Sequence, residues 1–208
     1  MKNTILVLAM IAVCSIFKIQ AQDKPINCDA EKWAYQPNLI IESQTYEIGV
    51  FHVTTLKNEY KKVFIDVNKY KDITSGITKS CARISNYMMN FKTDDVEWFP
   101  VSIDIDEVDG IINFIKKIQS DVINTKPENK NTLTYRSRNG FRLEFSYSSC
   151  ISIDEKTGHY KFAQEKCWNG LLFFPNEGAE SKRLSFVYFK QTEISELLNL
   201  FEQAKEKM

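Results

Sequence analysis

A strand followed by an amphipathic helix occurs twice in this chain, in the same register and 86 residues apart. Val101 to Val122 make one copy and Val187 to Met208 the other, matching Val101/Val187, Ile103/Phe189, Glu107/Glu193, Val108/Ile194, Ile111/Leu197, Ile112/Leu198, Ile115/Phe201, Ile118/Ala204 and Val122/Met208. Each helix carries one apolar stripe and must be covered by another element to be stable. The shared offset predicts an α+β protein of two similar halves. Each half is expected to be an antiparallel meander of about four strands followed by one amphipathic helix packed on its sheet. An irregular N-terminal segment is assigned to 23–44, the first half to 45–123, a connection to 124–130 and the second half to 131–208. The two halves are expected to pack as one unit.

The first 22 residues read as an address. Lys2 is followed by the apolar run Ile5 to Phe17 and by Ile19-Gln20-Ala21, the arrangement of a secretory signal peptide with a small residue at the cut. The run is shorter than the roughly 20 residues of a spanning helix, and Lys18 interrupts it. Export to the periplasm or the extracellular space is therefore expected, with no membrane span once the leader is removed. Charge narrows the partners. The chain has 27 Lys+Arg and 27 Asp+Glu, so losing Lys2 and Lys18 leaves a small acidic excess. A nucleic-acid binder shows a basic excess instead, so no nucleic-acid partner is expected.

Cysteine use agrees with an oxidising compartment. Cys14 leaves with the leader, and Cys28, Cys81, Cys150 and Cys167 remain. The expected pairing is Cys150–Cys167, which brackets a hairpin, with Cys28–Cys81. Free buried thiols are the alternative. Zinc has no C-x-x-C support and no nearby histidine in sequence, and neither a metal nor a cofactor is expected.

Strands are read from period-two alternation. The first begins at Tyr46, the second presents Val63, Ile65 and Val67 inward, and the third covers about Cys81 to Phe91. Lys57-Asn58-Glu59, Ser75-Gly76 and Thr93-Asp94-Asp95 supply turns. Pro100 lacks a donor and belongs at a sheet edge or a break. In the second half, a three-residue loop Arg138 to Gly140 pairs Tyr135 with Leu143 and matches the apolar sides. Gly140 then takes the left-handed position of a bulged turn. Shorter strands are expected near Ile151–Ile153, Tyr160–Ala163, Leu171–Phe174 and Leu184–Phe189, with turns at Asp154–Gly158 and Asn176–Gly178. Thr192 is the expected cap of the last helix.

Few residues suggest chemistry. Asp104-Ile105-Asp106-Glu107-Val108-Asp109-Gly110 has the density of a calcium loop but the wrong spacing, with Val108 where an acid belongs. Capping of the following helix accounts for its acids. His52 and His159 belong to no zinc or catalytic motif and read as strand or surface residues. Arg136, Arg138 and Arg142, alternating with Tyr135, form a candidate anion or carboxylate face, with a solvated strand face as the plainer account. Trp98-Phe99, Trp168 and Phe173-Phe174 read as core, with an exposed stacking platform as the alternative. Seven glycines include no G-x-G, so no phosphate loop is expected.

Ile103 to Gly110, Thr134 to Phe141 and Leu197 to Met208 resemble segments of small exported bacterial proteins of uncharacterised function, a likeness that implies export and transfers no activity. Strands then a helix, twice, is also similar in topology to the Whirly and Pur-type nucleic-acid folds. The leader and the balanced charge argue against carrying that function over. The expected role is a non-catalytic binding or interaction domain of the cell envelope, its ligand or protein partner unspecified. The alternative is an exported hydrolase acting on an envelope polymer or peptide. Oligomeric state leaves no mark in the sequence.

Overall fold

Alternation of apolar side chains builds two four-stranded antiparallel sheets, and two amphipathic helices fill the space they leave. The computed structural model describes residues 28–53, 59–91, 95–154, 157, 159–175 and 185–208. The expected leader and parts of several expected turns (57–58, 93–94, 155–156, 158 and 176–178) lie outside the described residues. The first sheet has the order β1 (Ile41–His52), β2 (Glu59–Asp72), β3 (Thr78–Asn90), β4 (Asp95–Ile103). The second has β5 (Asn131–Arg136), β6 (Arg142–Ile153), β7 (Tyr160–Phe174), β8 (Ser185–Lys190). A short helix α1 (Asp29–Ala34) precedes the first sheet. Helix α2 (Ile105–Lys117), with a π-turn to Val122, follows it, and α3 (Ile194–Lys207) follows the second. The chain is thus α+β with two similar halves. No helix among the described residues is long and apolar enough to cross a membrane.

The repeat extends to chemistry. Its paired apolar positions are buried except Leu198, Val122 and Met208, which are half-buried against the core. Glu107 accepts the N–H of Asp104 at 3.3 Å, and Glu193 accepts that of Lys190 at 2.6 Å, so each glutamate closes the turn entering its helix. Thr192 is not the cap of α3. It lies inside a 3-10 turn, Gln191–Glu193, and Glu193 satisfies the orphan donor instead.

The last helix crosses to the sheet of the other half, while α2 touches both sheets. Helix α3 lies on the first sheet, with Leu200 against Gly49 and His52 against Glu196. Helix α2 reaches the second, with Phe114 near Tyr135 and Phe145 at ring centroids of 6.2 and 6.4 Å. The helices run antiparallel, tied by Lys116–Glu202, Lys205–Asp109 and Gln119–Ser195. One continuous core results, drawn from both sheets and both helices.

Differences from the sequence reading have local causes. Strand β1 begins at Ile41 rather than Tyr46, because Glu42 to Thr45 are exposed on an edge strand and show no alternation. The segment expected to be irregular contains α1, whose Ala30 is buried on the first sheet beside Cys81. Ile151–Ile153 continues β6, and Tyr160–Ala163 continues β7. These stretches project past β5 and β8 as a two-stranded ribbon, where neither face is buried and periodicity fades. Cys150 and Cys167 stand at disulfide distance at its root, with Cα atoms 5.1 Å apart. Asn169, 1 % exposed, serves the bulge there by accepting Ile151 N–H and donating to Ser148 Oγ and Ser149 O.

The expected hairpin register is present. Tyr135 pairs with Leu143, Ser137 N–H donates to Phe141 O at 2.9 Å, and Gly140 has φ +83°. Pro100 sits on edge strand β4, where a missing donor disturbs the ladder least. At the β2–β3 turn, Asp72 accepts from the Ser75 hydroxyl and from the N–H groups of Thr74 and Ser75, which holds its carboxyl below the usual range. A depressed native pKa gives stability that is complete above the unfolded value of about 3.9 and is lost as pH falls through the native one. The urea midpoint of the wild type should therefore fall below about pH 4 more steeply than that of Asp72→Asn. Equal acid slopes would show that these bonds contribute nothing.

Candidate functional site

The acidic run at the start of α2 is a docking point for the β5–β6 hairpin. Arg138 reaches Asp106 through two hydrogen bonds of 2.7 and 2.9 Å and Asp104 through one of 3.0 Å. Its backbone N–H donates to the buried Glu107 carboxylate at 2.6 Å. Asn139 donates to Ser102 O at 2.7 Å, and Tyr135 donates its hydroxyl to Glu107 O at 2.9 Å. The Arg138 guanidinium holds the Asp106 carboxyl below the usual range, and the acids in turn hold Arg138 more firmly charged. Burial, with the negative charge of Glu107 and Asp106, pushes the Tyr135 phenol up to about 12. These groups satisfy one another across the two halves.

The candidate arginine face is thereby divided. Arg138 and Tyr135 face α2, whereas Arg136 and Arg142 are cross-strand partners in the second sheet. The Arg142 guanidinium lies 3.7 Å from the Phe173 ring centroid, and its Nε is 3.7 Å from Glu144. Arg136 is exposed. The four do not converge on one opening. His52 Nδ1 is 3.2 Å from Glu196 with the imidazole 75 % exposed, a surface pair rather than a cleft. His159 is exposed near the ribbon tip.

The aromatic residues separate by face. Phe99, Trp168 and Phe174 join the core as expected. Phe173 and Trp98 do not: Phe173 is half-buried on the second sheet against Arg142 and Phe186, and Trp98 is 47 % exposed on the outer face of the first sheet. Its ring stacks on Phe64 (centroids 5.9 Å, planes 17° apart) and meets Tyr87 edge-on at 6.1 Å. Ser85, paired with Phe64, is the small residue that leaves space between the strands for these rings to approach. Asp66 and Arg83 are cross-strand partners in the next row, and burial raises the Asp66 carboxyl against the opposing pull of Arg83. Val96 is exposed on the same face. Phe64 escaped the sequence reading. The signal was an aromatic at the polar parity of the second strand, but only register shows that it meets Trp98.

The other end of this outer face is covered by α1. There Cys28 and Cys81 are buried thiols, and one Sγ from each and a carboxylate oxygen of Glu31 all lie within 4.8 Å of one another. The sequence pairing of these cysteines is thus a spatial neighbourhood, with an acid the sequence reading did not place there. Ser102 donates to Glu31 Oε1 at 2.8 Å and Tyr70 at 3.4 Å, and Glu31 N–H donates to Cys28 Sγ at 3.4 Å. Hydrogen bonding with Cys28 and burial push the Cys81 thiol up, and burial does the same to the Tyr70 phenol.

No family model, curated protein or solved structure matches the chain.

Proposed function

We propose that this chain is an exported, non-catalytic binding domain of the cell envelope, and that it holds a glycan on the outer face of the first sheet. The observation that carries this reading is the exposed Trp98 ring lying nearly parallel to Phe64. An indole braced by a second ring offers a rigid flat surface at little entropic cost. A sugar ring can lay its C–H face on that surface and direct its hydroxyls at Asp66 and Arg83 in the next row. Export is supported by the apolar leader and by the Cys150–Cys167 pair.

Thermal-shift titration with peptidoglycan fragments and neutral oligosaccharides tests the proposal. A ligand at 100 times its dissociation constant adds about 2.7 kcal/mol to stability, which is measurable as a rise in Tm. The expected result is a dose-dependent rise with a saccharide, abolished in Trp98→Ala. That variant should itself unfold within about 1 kcal/mol of wild type, since the ring is half in water. A flat response to every saccharide, or a rise that Trp98→Ala leaves intact, refutes it.

A further inference from the structure

We propose that Cys28, Glu31 and Cys81 form a binding site for a thiophilic divalent cation, with Zn2+ as the probe. The ligands come together for simple reasons. Cys28 precedes α1 and Glu31 is three residues on, a spacing that turns both side chains to one side of the first helical turn. Cys81 rises from β3 beneath them, where α1 closes over the outer face of the sheet. Cys28 is 1 % exposed and Cys81 0 %, while Glu31 is half-buried and keeps one side of the cluster near solvent.

Spacing and charge both suit a cation. Two Zn–S bonds of about 2.3 Å at a tetrahedral angle hold their sulfurs about 3.8 Å apart. The three ligand atoms already lie within 4.8 Å of one another, so no pair has more than about 1 Å to close. Without a cation, a carboxylate beside two buried thiols opposes their ionisation. A divalent cation inverts that balance: it binds the thiolates, releases two thiol protons and partly neutralises three negative ligands. The donors needed around such ligands are present, namely Glu31 N–H on Cys28 Sγ and the Ser102 and Tyr70 hydroxyls on the carboxylate. A disulfide would use neither the carboxylate nor its two hydroxyl donors. Cys150 and Cys167, already at disulfide distance, are no part of this cluster. Water takes the fourth position, on the side where Glu31 meets solvent.

The test uses the protein folded with zinc present and freed of excess metal. One zinc per chain is expected, retained in Cys150→Ser/Cys167→Ser and lost in Cys28→Ser/Cys81→Ser. Cobalt in place of zinc should give thiolate-to-metal charge-transfer absorption. Glu31→Gln, which preserves shape and hydrogen-bond capacity, should fold normally and bind about tenfold or more weakly. Alkylation after denaturation in chelator should label Cys28 and Cys81. The proposal is overturned if those two are recovered joined to each other from protein folded in excess zinc. It is equally overturned if the wild type gives no charge-transfer band, or if Glu31→Gln binds zinc as tightly as wild type.

Discussion

Phe189→Ala lowers the free energy of unfolding by about 3–5 kcal/mol, the range for emptying a fully buried aromatic site. The ring has no exposed surface and packs edge-on against Phe51 at 5.3 Å and Phe145 at 5.4 Å, so it joins the first sheet to the second. It also lies directly over Gly170 on the neighbouring strand, where a Cβ would come within 2.3 Å of the ring. Gly170→Ala alone should therefore destabilise by about 1–3 kcal/mol through overpacking. In the Phe189→Ala background the same methyl enters the vacated space and its cost should vanish or reverse. A double-mutant cycle by urea denaturation reads this coupling directly. Equal cost of Gly170→Ala in both backgrounds would show that ring and glycine do not constrain each other.

Glu107→Ala should cost about 2–4 kcal/mol, because the carboxylate accepts two backbone N–H groups, those of Arg138 and Asp104, and each loses its partner. Glu107 is 5 % exposed, so water replaces the lost acceptor poorly. Arg138→Ala keeps the backbone donor and removes a half-exposed guanidinium from Asp106, Asp104 and, at 3.5 Å, the buried Glu107, which retains both its backbone donors, so it should cost about 1 kcal/mol. The urea midpoints of the two variants decide the matter. If Arg138→Ala is the more damaging, the ion pairs rather than the buried carboxylate hold the hairpin to α2.

The sequence disclosed those parts of the fold whose stability is local or periodic. Matching the apolar sides of Tyr135 and Leu143 found the hairpin register, because a slip of one residue would have put charge in the core. The strand–helix repeat was legible because both copies bury the same positions. Helix α1 was not legible. It is six residues long and is held by Ala30 packing and by Asp29 N–H on the Asp104 carboxylate, neither of which leaves a period. The exposed ribbon of β6 and β7 reads as separate short strands because neither of its faces is covered. The candidate sites were less visible still. Trp98 reads as core in the sequence, and its place beside Phe64, two strands away, emerges only from the register of β2, β3 and β4. The Cys28–Glu31 spacing is ordinary, and becomes a cluster only where β3 delivers Cys81.

The crossover of the last helix has a consequence for the order in which the chain is made. The first sheet is complete once Ile103 has been added, yet the helix that lies on β1 and β2 is made only after the whole second sheet. Until then Phe51, Val63 and Ile65 lack their final cover. A chain stopped in the 124–130 connection should therefore be cleared by proteolysis instead of accumulating as a folded fragment.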